Sequence, residues 1–188
     1  MSLSHAILAF LEYQPMSGYD LKKFFDQSVA HFWSATQSHI YKSLEELDKK
    51  GWAEAKVIQQ EDKPNRKEYQ ITDAGRAELR RWLTTPLPLE PVRDACLIQV
   101  FFSHFSSNEE IAALFETRMN EIRERMQILH TVAQTAIDEN AKQVGIERAR
   151  QLWQITLDYG IDYYEFELAW HEKTLKTIRN LPPLTPPK

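Results

Sequence analysis

The sequence predicts a mainly α-helical protein that carries one small β-hairpin and is divided into two domains. Over most of the 188 residues, apolar side chains recur with the period of an amphipathic helix. Two extended runs, residues 52–58 and 66–71, flank a polar stretch and predict the hairpin. Three prolines within residues 86–91 cannot continue a helix and favour a stiff linker. The expected organisation is an N-terminal domain 1–84, a linker 85–91, a helical domain 92–180 and a disordered tail 181–188.

Two helices are expected at the start of the chain. The first ends near Pro15, because the residue before a proline disfavours the helical region. The second begins after Ser17, an N-cap residue with an acid three residues later. Apolar residues at helical spacing give each helix one buried face. We expect Phe32 and Trp33 to fill the core beside the turn that follows.

The third helix is a short amphipathic segment that begins near Ser34. Ile40, Leu44 and Leu47 lie at i, i+4 and i+7, so they form one apolar stripe opposite a polar face. Ser34 and the glutamine three residues later form a candidate capping box. Gly51 suits the position just beyond the helix C-terminus, where the left-handed conformation is common.

The hairpin and a fourth helix complete the first domain. Thr72 caps the fourth helix, whose Leu79, Trp82 and Leu83 are expected to face inward. A helix, a two-stranded ribbon and another helix, in that order, are expected of a winged helix-turn-helix domain. In such domains one helix enters a DNA groove and the hairpin, or wing, touches the backbone.

Several segments of this first domain resemble one family. The run I-Y-K-S-L-E-E-L-D-K-K-G-W at 40–52, followed by R-K-E-Y-Q-I-T-D-A-G at 66–75, resembles the DNA-binding domain of the PadR family of bacterial transcriptional regulators. The segments S-H-A-I-L-A-F-L at 4–11 and M-S-G-Y-D-L at 16–21 fit the same family. The resemblance covers about the first 84 residues. The remainder is similar only in being a helical half of the length found in larger PadR-like regulators.

The predicted DNA contacts come from the third helix and the wing. The N-terminal part of a recognition helix reaches base edges, where glutamine can make two hydrogen bonds to adenine, and wing cations bind phosphate. The resemblance implies a DNA contact for Tyr41; the alternative is that its ring packs on the wing and only its hydroxyl touches phosphate. For the wing charges, the alternative is a solvated hairpin tip. The predicted DNA-binding residues are Thr36, Gln37, Ser38, His39, Tyr41, Lys42, Lys63, Asn65, Arg66 and Lys67.

Three further residues of the family pattern have structural roles in this interpretation. Tyr69 is expected in the core and Thr72 at a helix cap. Gly75 is expected where two backbones approach closely, because only glycine leaves room there.

The second half predicts two long helices with heptad spacing. Ser107 and Glu110 form a capping box that opens one of them, and a break is expected around residues 140–145. A hairpin of two such helices cannot bury both apolar stripes, so pairing with a second copy is expected. The predicted dimerisation residues are Phe115, Met119, Ile122, Met126, Leu129, Tyr159, Tyr163, Phe166 and Trp170. As an alternative, Trp153, Tyr159 and Tyr163 could line a pocket for an aromatic effector.

The charge balance leaves a second function open. Residues 1–85 carry 12 Lys and Arg against 12 Asp and Glu, and the rest carries 11 against 15, which gives the net charge of −4. A DNA-binding domain usually has a basic face, so positive charge must cluster locally. The alternative is a winged helix that binds another protein and no DNA.

Patterns typical of an enzyme or a metal site are missing from the sequence. Six histidines are scattered without an H-x-x-x-H pair, and five glycines form no phosphate-binding loop. Cys96, the one cysteine, excludes a disulfide framework and is expected to be a buried small side chain. The acid-rich stretch 158–167 is expected to be solvated, because helical projection scatters its carboxylates. No catalytic residue, metal ligand or cofactor is predicted.

The expected function follows from these observations and the resemblance together. We expect a repressor that binds a palindromic operator as a homodimer and is released by a small hydrophobic or aromatic effector. No apolar run approaches the length of a membrane span, and a basic-then-apolar leader is missing, so we expect a cytoplasmic protein. The expected partners are double-stranded DNA, a second copy of the chain and the effector.

Overall fold

A computed structural model describes residues 2–30, 32–59 and 65–184, and these are mainly helical with one three-stranded antiparallel sheet. Lys63 and residues 185–188 of the predicted tail lie outside the described residues. The elements are α1 (Ser2–Tyr13), β1 (Met16–Ser17), α2 (Gly18–Gln27), α3 (Gln37–Lys49), β2 (Ala53–Ile58), β3 (Arg66–Ile71), α4 (Asp73–Leu83), α5 (Ala95–Phe102), α6 (Asn108–Ile128), α7 (Gln134–Val144) and α8 (Glu147–Arg179). A 3-10 turn, Ser103–Phe105, follows α5, and a π-helical turn, Leu129–Ala133, joins α6 to α7.

The chain forms two compact units, Met1–Pro88 and Leu89–Lys188, which divide inside the proline-rich stretch. The first unit is a winged helix and the second is an antiparallel helical hairpin, so the predicted fold class is confirmed. Among the described residues, none of the helices combines the length and apolarity needed to cross a lipid bilayer.

The core of the first unit lies between α1, α2, α3 and the sheet. Its apolar side chains come from one face of each helix, as the periodicity predicts, and from the inner face of the hairpin. Two expectations for this core are wrong. Phe32 and Trp33 are 50% and 44% exposed, because α2 ends at Gln27 and Phe25 fills the position facing α1. Leu83 is exposed because it is the last residue of α4, whose contacts with the core use Leu79.

The sheet has the strand order β1-β3-β2. The hairpin pairs Ala53 with Ile71 at its base and Ile58 with Arg66 at its outer end. On the other edge, Ser17 of the two-residue strand β1 pairs with Glu68. This strand is too short to give an alternating pattern, and the sequence therefore did not indicate it.

Side-chain caps fix where the helices begin. Thr36, and not Ser34, is the N-cap of α3, and its Oγ1 accepts a hydrogen bond from the amide of His39. The capping box of α3 predicted at Ser34 is therefore wrong. Thr72 caps α4 as expected. Gly51 follows α3 with φ +68°, which confirms the expected left-handed position.

A polar cluster ties α1 to α4. His5 is buried and stacks on the ring of Trp82 at a centroid distance of 4.7 Å. Its Nε2 lies 3.0 Å from Oε1 of Glu78, which also accepts hydrogen bonds from Arg81. The Arg81 guanidinium and then His5 lower the pKa of Glu78 to about 2. The carboxylate therefore stays ionised, and both partners hold it between the two helices.

The second unit is built on α6 and α8, which run antiparallel. Phe115 packs near Trp170 at one end of the hairpin, while Leu129 and Leu157 share a small core at the other. The capping box at Ser107 is confirmed. The predicted break near residues 140–145 is shorter than expected, because α7 continues to Val144 and ends at Gly145 with φ +68°.

The stripe predicted for dimerisation on α6 is buried within the same chain, whereas α8 packs with a different stripe from the predicted one. Phe115 and Met119 of α6 and Leu129 of the π-helical turn, all predicted dimerisation residues, are buried in cores that include residues of α8 of the same chain. Ile122 of α6 is buried as well. On α8 the packed stripe is Leu157, Ile161, Tyr164, Leu168, His171, Leu175 and Ile178, also with spacings of four and three. The predicted α8 residues Tyr159, Tyr163 and Phe166 point outward and are exposed. Met126 is partly buried, and Trp170 is partly buried beside Phe115.

Replacing Gly75 with alanine should destabilise the first unit by about 1–3 kcal/mol, the usual cost of overpacking. A Cβ at this position would lie 2.0 Å from the backbone oxygen of Trp52, so the hairpin and α4 would have to separate. Urea unfolding measures the loss. As a control, the exposed neighbour Ala74→Ser should change stability by less than about 0.5 kcal/mol. Equal stability of the two variants would contradict the close approach.

Candidate nucleic-acid interface

The first turns of α3 present polar side chains outward. Ile40, Leu44 and Leu47 are completely buried on the opposite side of this helix, which fixes its rotation. The exposed residues are the predicted contacts Thr36, Gln37, Ser38, His39, Tyr41 and Lys42. Together they offer hydroxyl, amide, imidazole and ammonium groups, the groups that read base edges and bind phosphates.

Tyr41 packs on the start of α2, while the predicted alternative placed its ring on the wing. A Cβ built on Gly18 would lie 2.7 Å from ring carbons of Tyr41, so the ring covers this glycine closely. The side chain remains 40% exposed. Tyr41 therefore has a packing role at α2 and keeps part of its surface on the outer face.

Of the predicted wing contacts that the structure describes, Asn65 and Lys67 are exposed. The Lys67 ammonium lies 5.1 Å from the ring centroid of Tyr69. A hydrogen bond with Tyr69, and to a smaller extent the charges of Asp48 and Glu45, raise the pKa of Lys67. Tyr69 itself is buried, as expected. Lys67 therefore keeps its positive charge on the outside of β3.

Arg66 differs from its neighbours because its guanidinium is already bound within the protein. Nη2 donates to Oδ2 of Asp20 at 2.6 Å and lies 3.0 Å from Oε1 of Glu68. Its Nε is buried and has no hydrogen-bond partner in the described part of the chain. Arg66 thus has a structural link, a role that the sequence analysis missed. The aspartate three residues after the Ser17 cap was the only available signal.

The second unit contains a cavity of about 170 Å³ under α5, between α6 and α8. Apolar groups of Val100, Ile111 and Phe115 form much of its wall, and Arg118 lies among the polar lining residues. The predicted effector residues Trp153, Tyr159 and Tyr163 do not line this cavity, because they lie on other turns of α8.

A buried histidine contributes to the same wall. His171 Nδ1 lies 2.7 Å from the carbonyl oxygen of Glu167, and Nε2 lies 3.8 Å from Sγ of Cys96. Partial burial raises the pKa of the Cys96 thiol, so this sulfur is neutral. The lining of the cavity is thus mainly apolar with a few polar groups, as in most small-molecule sites.

Two protein families account for both units of the chain. Residues 7–81 match the family described as "Transcriptional regulator PadR-like family". Residues 92–179 match the family described as "Virulence activator alpha C-term". The two matches correspond to the winged helix and to the helical hairpin, respectively.

Two curated relatives share part of the sequence. A probable transcriptional regulator of Mycobacterium tuberculosis, Rv1176c, is 44% identical over 98 residues, 52% of this chain and 52% of the relative. The negative transcriptional regulator PadR of Bacillus subtilis is 34% identical over 118 residues, 62% of this chain and 65% of the relative. The aligned parts thus span between half and two thirds of these relatives.

A solved structure extends the similarity over almost the whole chain. Bacillus subtilis PadR, crystallised in complex with operator DNA, superposes with a TM-score of 0.79 at 26% identity, covering 95% of this chain and 99% of that one. The described family is one of transcriptional regulators and not of enzymes. Both family matches, the relatives and the fold agree with the resemblance carried by residues 16–21, 40–52 and 66–75. Residues 7–81 are thus a domain of the PadR-like family of transcriptional regulators, and residues 92–179 are a domain of the virulence-activator C-terminal family.

Proposed function

We propose that this protein is a DNA-binding repressor that acts as a homodimer on a two-fold symmetric operator. The observation that carries the proposal is the arrangement of α3 in a winged-helix unit. One face of the helix is apolar and completely buried, and its N-terminal turn exposes polar side chains on the opposite face. In such domains the N-terminal residues of this helix contact base edges. Gln37 supplies an amide that can bind a base edge, and Lys42 supplies an ammonium group that can bind a phosphate.

The proposal that the protein represses transcription, and does not activate it, is based on one relative. The Bacillus subtilis protein that is 34% identical over its aligned part is named as a negative regulator. The simplest mechanism for repression is that operator-bound protein blocks access to the promoter. A regulator that binds chromosomal DNA acts in the cytoplasm of a bacterium, and we propose that location for this chain.

The exposed aromatic stripe of α8 supports self-association. Tyr159 and Phe166 are 68% and 64% exposed, and Tyr163 lies between them on the same stripe. Aromatic surfaces of this kind are enriched where proteins associate. On α5, Phe101 is also exposed, although the helix is strongly apolar. To bind a two-fold operator, a symmetric dimer has to present its two copies of α3 about one DNA turn apart, roughly 34–36 Å.

We place the effector site of the proposal in the cavity under α5. Its volume of about 170 Å³ compares with the roughly 150 Å³ hole that accepts benzene in another protein, so it suits a molecule with one ring. Arg118 and Glu121 lie among its lining residues and could bind an anionic or a cationic substituent, respectively. A ligand that favours one placement of α5 would shift the population of DNA-binding arrangements.

Selection of genomic fragments with the purified protein should recover a palindromic sequence. On that duplex, Gln37→Ala should cost about 1–3 kcal/mol and relax specificity at one base pair. Lys42→Ala should instead weaken binding to all sequences and reduce the slope of log K against log[salt] by about 0.9, because it removes one phosphate contact. Fluorescence anisotropy over a salt series measures both effects.

Failure to recover a DNA sequence would favour the alternative that the winged helix binds another protein. If no fragment is enriched and binding to random duplex is independent of salt, the winged helix does not act on DNA. The formally neutral first domain is the observation that keeps this alternative open. Glu54→Gln, on the exposed outer face of β2, serves as a control that should not alter the salt slope.

Phe166→Asp should convert the dimer to monomers while the chain stays folded. The side chain is largely exposed in the single chain, so a charge there harms only an interface with a partner. Ile122→Asp is the matched contrast, because Ile122 is buried inside the hairpin and its replacement should lower stability itself. Sedimentation velocity and thermal melting separate the two effects. A dimeric Phe166→Asp protein would exclude this face.

A compound with a single aromatic ring should raise the melting temperature of the wild-type protein, and Val100→Phe should abolish the increase. The new ring would fill the cavity that Val100 lines. A thermal-shift screen with monocyclic aromatic acids and amines provides the measurement. Val132→Phe, at an exposed position away from the cavity, should keep the response. Equal responses of both variants would place the ligand elsewhere.

A further inference from the structure

Three contacts with the recognition helix and the wing converge on the start of α2. We call Ser17, Gly18 and Asp20 the α2 junction. Ser17 pairs with Glu68 of β3, and the ring of Tyr41 in α3 packs against Gly18. Asp20 binds the guanidinium of Arg66, the first residue of β3. A segment of four residues therefore contacts both elements that would touch DNA.

Asp20 cannot easily leave this position. Its Oδ2 accepts hydrogen bonds from the amide of Ser17 at 3.2 Å, from the Ser17 hydroxyl at 2.8 Å and from Arg66 at 2.6 Å. The bond from the Ser17 amide belongs to the capping box of α2, whose other bond runs from the Asp20 amide to the Ser17 hydroxyl oxygen at 3.2 Å. A carboxylate in the first helical turn is also stabilised by the helix dipole. The aspartate thus holds Arg66 at a fixed point.

The charge around Arg66 does not suit a phosphate contact. One guanidinium faces two carboxylates, those of Asp20 and Glu68, so the cluster carries a net negative charge. The Arg66 side chain is only 41% exposed, and its buried Nε faces the protein. A phosphate that captured Arg66 would leave the two carboxylates unpaired beside the DNA backbone, which is unfavourable.

We propose that Arg66 is a positioning residue: through Asp20 it fixes the wing to the α2 junction and so sets the wing at a defined distance from the first turn of α3. The inference rests on the DNA-binding function proposed above. The ion pair holds β3, the Tyr41 contact holds α3, and α2 connects them. In this proposal the phosphate contact of the wing comes from the neighbouring Lys67, whose side chain is exposed.

The salt dependence of DNA binding tests this assignment. The probes are the palindromic duplex recovered by selection and a random duplex of about 30 base pairs. Lys67→Gln should lower the slope of log K against log[salt] by about 0.9, as expected for one lost phosphate contact. Arg66→Gln should weaken binding to the palindrome about tenfold, the effect of one lost charge-assisted hydrogen bond, and leave the slope unchanged.

Asp20→Asn distinguishes a positioning role of Arg66 from phosphate binding, because the two roles change DNA affinity in opposite directions. If Arg66 positions the wing, Asp20→Asn weakens binding as Arg66→Gln does, and the double variant is no weaker than either single one. If Arg66 binds phosphate, Asp20→Asn frees the guanidinium and tightens binding. Tighter binding, or a slope loss of about 0.9 in Arg66→Gln, would overturn the inference.

Arg66→Lys provides a variant that keeps the charge and disturbs folding least. A lysine ends one bond closer to the backbone than Nη2 and lacks the planar guanidinium, so it cannot reproduce the geometry of the link to Asp20, and binding should weaken at an unchanged salt slope. Wild-type affinity in Arg66→Lys would overturn the inference. Thermal melting confirms that each variant is folded. If the wild-type protein binds neither duplex, the proposed DNA-binding function itself fails, an outcome distinct from a change at Arg66 alone.

Discussion

Complete burial of one face of α3 is the constraint on which the first unit depends. Ile40, Leu44 and Leu47 have no exposed surface, and burying each such side chain contributes about 1.5–3 kcal/mol. A rotation of α3 about its axis would expose this stripe, so the helix has one stable orientation. The outward position of Gln37 and Lys42 follows from that orientation and not from any contact of their own. The same side chains therefore stabilise the unit and aim its polar surface.

Arginines and lysines have different roles in the first domain, whose total charge is neutral. Three of the four arginines in residues 1–88 form ion pairs with carboxylates of the same unit: Arg66 with Asp20, Arg76 with Glu12 and Arg81 with Glu78. The planar guanidinium suits such forked pairs. The lysines of α3 and β3, in contrast, carry exposed ammonium groups. Local placement therefore matters more for binding an anionic partner than the sum of the charges does.

The sequence predicted most elements of the first unit and only part of the second. In α3 and the hairpin, periodicity and turn residues indicate the same structure, although the N-cap of α3 is Thr36 and not the predicted Ser34. The family pattern adds Tyr69, Thr72 and Gly75. In α8 two stripes have the same heptad spacing, and the predicted seam is the aromatic one. The structure buries the other stripe, which contains His171. Spacing could not decide between them, because large side chains suit a core and an interface equally. The link between Arg66 and Asp20 joins residues 46 positions apart, and no local pattern reports such a contact.

Substitutions on the two stripes of α8 have different consequences, because one stripe packs inside the hairpin and the other is exposed. Substitutions on the side of Leu157 and Leu175 disturb the hairpin itself, so they are constrained by folding. Substitutions on the side of Tyr159 and Phe166 leave that packing untouched. A descendant of this chain could therefore acquire a different association partner, or lose one, by drift on a single surface of one helix without passing through an unfolded intermediate sequence.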